Sequence, residues 1–159
     1  MRIRIVVANQ AEAAFYDLDS RTGDPKFATR LTDPLAHLHD RDLKSDRPGR
    51  FSDHALLSPG RRGATAHHGT GGERRPRKHE AEVFARQVAG QLEHAQRNAE
   101  FDRLVVMAAP PFLGVLRKML PDSVRLQVAA EVSKDLVNQP PASVRAHMPP
   151  DVLRELPVM

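Results

Sequence analysis

A mixed α/β domain is the fold class this chain predicts, and three features of the sequence predict it. The N-terminal segment Arg2-Ile3-Arg4-Ile5-Val6-Val7-Ala8 alternates and then turns wholly apolar, as a strand entering a sheet core does. From Lys78 onward, Ala81, Phe84, Ala85, Val88, Leu92, Ala95 and Ala99 recur at three-to-four-residue spacing, the mark of an amphipathic helix. Directly after it, Asp102-Arg103-Leu104-Val105-Val106-Met107-Ala108 forms a short continuous apolar run, the pattern of a strand covered on both faces. The expected architecture is a mixed β-sheet of about five strands with helices packed on its faces.

The remaining elements follow from local signals. Residues 12–18 alternate, with Ala13, Phe15 and Tyr16 among short polar residues, and Arg21-Thr22-Gly23-Asp24-Pro25 supplies a turn before the extended stretch Lys26 to Thr32. With the first strand these make a three-stranded meander. Pro110-Pro111 opens a helix whose Phe112, Leu113, Val115, Leu116, Met119 and Leu120 face the core, and Pro121 ends it. A further strand or short helix falls around Leu126 to Val132. A last helix covers Ala142 to Met148, and Pro149, Pro150 and Pro157 argue against its continuation. One domain is expected over residues 1–148, followed by a C-terminal tail over 149–159; 159 residues suit a single core.

Between Asp33 and about Arg77 neither period persists. Gly49, Gly60, Gly63, Gly69, Gly71 and Gly72 sit among Pro34, Pro48, Pro59 and Pro76, so the stretch reads as a long loop, basic and glycine-rich over about 44–78. The formal charge of +4 is concentrated there: nine Lys/Arg stand against three acids between Lys44 and Lys78, which leaves the rest of the chain mildly acidic. Clustered cations of this kind attract polyanions over about a Debye length, roughly 8 Å at physiological salt.

Several chemistries are excluded. Cysteine is absent, which removes disulfides, thiol nucleophiles and cysteine zinc sites. The chain contains no run of about 18 apolar residues and no signal-peptide pattern, so a soluble cytoplasmic protein without membrane insertion is expected. His37, His39, Asp40, Asp42 and Asp46 have metal-ligating chemistry but no closed-site spacing, and turn and ion-pair roles explain them better. KHEAE, from Lys78 to Glu82, lacks the second histidine of a zinc-protease helix; Val83 stands there, and Glu80 and Glu82 are better read as acids complementing the start of a helix dipole. Ser45, Ser52 and Ser58 lie near His54, His67 and His68 without a nucleophile elbow, and GRRGATAHHGTGG lacks the Gly-Lys-Ser/Thr ending of a nucleotide loop.

The blocks HLHDRDLKSDRPGR, GGERRPRKHEAEVFARQVAGQL, FDRLVVMAAPPFLGVLRKML and EVSKDL, in this order, resemble the bacterial host attachment protein family. Its members carry the label of being required for attachment to host cells. That family in turn looks similar to the middle domain of archaeal and eukaryotic class-1 peptide chain release factors and of Pelota. There a basic loop before a long helix ends in a Gly-Gly-Gln tip that enters the peptidyl-transferase centre. The resemblance places Gly71 and Gly72 of HGTGGERR at the two glycines and Glu73 at the glutamine. It implies a fold like that middle domain and a ribosome- or structured-RNA-binding factor acting in translation or ribosome hibernation. A carboxylate at Glu73 argues against hydrolysis, so no catalytic residue, metal or cofactor is expected. The tip residues are Gly71, Gly72 and Glu73, and the phosphate-contacting residues are Arg47, Arg50, Arg61, Arg62, Arg74, Arg75, Arg77 and Lys78. The alternatives are an attachment factor whose loop binds an acidic protein partner, and a hydrolase of peptidyl-tRNA or RNA.

Overall fold

The computed structural model describes residues 1–33 and 61–158, with backbone alone over 61–77. Five strands form one sheet: β1 (Ile3–Ala8), β2 (Glu12–Leu18), β3 (Lys26–Thr32), β4 (Arg103–Ala108) and β5 (Val128–Ser133), in the spatial order β3-β2-β1-β4-β5. The meander pairs antiparallel, Val6 opposite Phe15 and Ala13 opposite Leu31. β4 and β5 then run parallel to β1, Val6 beside Val106 and Val106 beside Glu131. The sheet is therefore mixed, and β1 is its central strand. Parallel pairs need a crossover, which the helix before β4 supplies.

Two turns of the meander are set by side chains. Asn9 Oδ1 accepts the N–H groups of Ala11 at 2.8 Å and Glu12 at 2.9 Å, turning β1 into β2. Ser20 Oγ accepts the N–H of Gly23 at 3.0 Å, and a Cβ at Gly23 would sit 2.6 Å from that oxygen, so a larger residue there would displace the Ser20 hydroxyl from this bond.

Because side chains alternate along a strand, the sheet has two apolar faces, and both are covered. On one, Val6, Ala13, Phe15, Leu104 and Val106 pack against two helices, α1 (Arg61–Arg97) and α2 (Pro110–Met119), with Val124 of the short α3 (Asp122–Arg125) closing the end. Phe84, Ala85, Val88, Ala89, Leu92 and Ala95 are the buried stripe of α1. From α2 come Phe112, Leu113 and Leu116, and the Phe84 and Phe112 rings lie 5.8 Å apart.

The other face is covered by the C-terminal chain. Ile3, Ile5, Val7, Leu18, Val105 and Met107 pack against Leu136, Val137, Val144, Met148, Val152 and Leu156. These come from α4 (Pro141–Ala146), α5 (Pro150–Leu153) and their flanks, each helix opening on a proline that has no N–H to satisfy. The segment expected to trail off after residue 148 is part of this layer: Leu156 is 1% exposed, and the Arg21 guanidinium donates to the carbonyls of Arg154 and Leu156 at 2.7 and 3.1 Å.

Two further expectations change. The helix expected to begin at Lys78 begins at Arg61, so the second part of the stretch read as a loop is helical backbone. Glycine and Pro76 carry the lowest intrinsic helix propensities and no apolar period marks the stretch; what the packed half supplies is the nucleus, so that no second costly nucleation is needed. Ala99, read as the last member of the apolar stripe, lies beyond the helix. It is exposed and takes a left-handed φ of 56°, with its N–H on the Gln96 carbonyl and the Glu100 N–H on that of Ala95. These two bonds form a Schellman C-cap that stops α1 without a glycine.

Candidate functional site

α1 has two halves of different composition. Its second half is held by the sheet through the stripe that starts at Phe84. Its first half, up to Lys78, holds Arg61, Arg62, Arg74, Arg75, Arg77 and Lys78, with Glu73 the single acid. At 1.5 Å per residue this stretch spans about 27 Å of helix axis. Its first turn contains Arg61 and Arg62 and no acidic residue, so cations stand at the positive end of the helix macrodipole. The last turn carries His94 and Arg97, which suit the negative end.

Arg61, Arg62, Arg74, Arg75 and Arg77 share the helical backbone of the first half with Gly71, Gly72 and Glu73, which are thus on a helix rather than at a turn. Lys78 and His79 are exposed where the described side chains begin. Arg47 and Arg50 lie outside the described residues, as do the His and Asp residues at 37–46, read as turn and ion-pair residues rather than metal ligands, and Ser45, Ser52, Ser58 and His54. Glu80 and Glu82 do not complement a helix start, because that start lies at Arg61. Among the described residues no group of three or more His, Asp and Glu is placed to hold a metal ion.

In parallel α/β folds, ligands commonly bind beyond the C-terminal ends of the strands. Here those ends carry structural hydrogen bonds. Asn9, just after β1, donates through Nδ2 to Asp135, just after β5, at 3.2 Å, and the Ala109 N–H binds the Ala8 carbonyl at 3.2 Å. α2 starts there, but its first two residues are Pro110 and Pro111, and the Leu113 N–H is spent on Ala109. Two of the N–H groups that would cradle a phosphate are missing, which agrees with the lack of a nucleotide fingerprint in the sequence.

The described chain is thus an α/β domain with a mixed five-stranded sheet from which one long helix carries a cationic stretch. Residues 4–148 match the family described as "Protein required for attachment to host cells", and the chain belongs to that family. No curated protein matches it. Among the described residues no helix is long and apolar enough to cross a membrane.

Proposed function

We propose that the chain is a non-catalytic factor that binds structured RNA, at the ribosome, through the cationic first half of α1. The observation that carries this reading is the density of charge: six cations and one acid on a single helical stretch leading into the packed core. Guanidinium groups bind phosphate oxygens bidentately, and a rod of them fits a double-stranded or folded RNA through shape and phosphate contacts rather than base reading. The likeness of HGTGGERR to the release-factor tip supports the ribosome as the source of that RNA, while Glu73 in place of glutamine supports binding without hydrolysis.

The test is cosedimentation with purified ribosomes between about 50 and 200 mM salt, comparing the native chain with a variant in which Arg74, Arg75 and Arg77 are glutamine. Three lost phosphate contacts lower the slope of log K against log salt by about 2 to 3. An unchanged slope and affinity overturns the reading. Release of amino acid from charged tRNA by the native chain, measured beside Glu73→Gln, would move the assignment to a hydrolase.

The family's description favours a second reading, in which the same cations bind an acidic protein partner during attachment to host cells. In that case the triple variant loses host-cell adhesion while ribosome binding is absent in both forms.

A further inference from the structure

The helical layer that covers β1 and β4 stops short of the sheet edge. On the face occupied by α2, β5 presents Val128 beside Leu104 and Glu131 beside Val106, and between these residues and α2 lies an open groove of about 470 Å3. Its floor is apolar, made by Val106, Leu113, Leu120 and Val128. The rim is charged and mostly cationic, with Arg117, Lys118 and Arg125 against Glu131. Small-molecule sites occupy about 300–1,000 Å3, so the groove is of ligand size.

The rim cations are arranged, not scattered. Arg125 Nη2 donates to the carbonyls of Arg117 at 2.9 Å and Lys118 at 3.5 Å, which fixes its guanidinium at the C-terminal end of α2. Arg117 uses its Nε–H on both Glu131 oxygens, at 3.1 and 2.9 Å, and its terminal N–H groups remain for another acceptor. The Arg117 and Glu131 side chains are 58% and 31% exposed, and so open an ion pair costs little to exchange for a competing anion. Lys118 is exposed and has no carboxylate within ion-pair distance among the described residues.

We infer that this groove binds a small aliphatic anion, its alkyl chain on the Val106–Leu113–Leu120–Val128 floor and its carboxylate or phosphate head on Arg117 and Lys118. An apolar floor alone would accept any alkyl chain; the excess of rim cations selects the acid. The inference is independent of the arm on α1, because no residue of the groove belongs to that helix.

The experiment is a titration of the 15N-labelled full chain with monomeric decanoate, followed by amide shifts. Saturable shifts confined to the lining of the groove, around Val106 of β4, from Leu113 to Arg125 and along β5, are expected, with decanol at least about tenfold weaker for want of the charge-assisted bonds. Arg117→Gln combined with Lys118→Gln, both exposed and outside the core, weakens decanoate about tenfold without shifting the thermal midpoint. Glu131→Gln tightens it severalfold by freeing Arg117, an effect that a merely structural ion pair would not produce. Equal affinity for decanol and decanoate, shifts elsewhere in the chain, or an unaltered Kd in the Arg117/Lys118 variant overturns the inference. Vesicles of phosphatidylglycerol, or an acidic amphipathic peptide, producing those shifts where decanoate does not, overturn it in favour of a membrane or a peptide occupant.

Discussion

Arg4 and Asp17 stand directly opposite each other on β1 and β2, with Nε 2.6 Å from one carboxylate oxygen and Nη2 3.2 Å from the other. The arginine is 3% exposed, lies 5.7 Å from the Phe101 ring centre, and meets Glu100 at 3.5 Å on its outer side. A cation has been placed inside the central strand, and it is tolerated because both ends of its fork are paired.

Asp17→Asn should therefore destabilise the fold by about 3 kcal/mol, since it leaves a buried guanidinium with only the more distant Glu100. Replacing Arg4 and Asp17 together by Met and Leu should cost much less than the sum of the single changes. Urea unfolding of the three variants measures this, and additive losses would contradict the pairing.

At the end of α1, Ala99→Gly should stabilise. The left-handed φ of 56° costs an alanine about 1 kcal/mol that glycine does not incur, while the bonds from the Ala99 and Glu100 N–H groups are retained. For a domain of this size the melting temperature should rise by about 2–4 °C. A fall would mean that the Schellman cap does not form in solution.

Deleting residues 149–159 should unfold the second layer rather than trim a tail. Val152 and Leu156 are 5% and 1% exposed, and without them Val105 and Met107 lose part of their cover. Leu156→Ala alone should cost about 2–5 kcal/mol. Dye binding to exposed apolar surface, together with the denaturation midpoint, checks both; a truncated chain as stable as the full one would refute this packing.

Gly71→Ala and Gly72→Ala distinguish a helical arm from a glycine-hinged one. Each should favour the helix by about 1 kcal/mol and raise helical circular dichroism. If the arm engages its partner as a helix, binding survives or strengthens; loss of binding with raised helicity would show that the glycines must leave the helix.

Much of the fold was legible because the core elements have sharp periods. Phe84 to Ala95 on α1 and Leu104 to Ala108 on β4 each bury what their spacing says they should, and the prolines that bracket α2 mark both of its ends. β5 could be read only as strand or short helix, since its six residues are too few to show a period; parallel pairing with β4 decides it. The C-terminal layer was hidden by its own prolines. They break the segment into helices of six and four residues, too short to announce an apolar face, yet Pro141 and Pro150 each open a helix rather than ending one. The start of α1 was illegible for the opposite reason: between Arg61 and Arg77 no apolar period announces a helix and the glycines and Pro76 argue against one, so continuity with the packed half is what carries it. At the candidate site, charge could be counted from the sequence but not its setting. The groove beside β5 gave no signal, because its residues come from four elements and meet only in space.

The central position of β1 has a consequence for how the chain comes together. Its pairing with β2 closes within a few residues, but Val6 meets Val106 only after a hundred residues of chain have intervened. During synthesis the meander can zip at once, yet one edge of its most apolar strand stays open until β4 emerges, a window in which another nascent chain could pair there instead. The capture of β4 is then the pairing that spans the longest stretch of chain at β1. Since the entropy of closing so long a connection rises only logarithmically, by about 0.6 kcal/mol per doubling, the segment between β3 and α1 can lengthen or shorten with little effect on whether that capture succeeds.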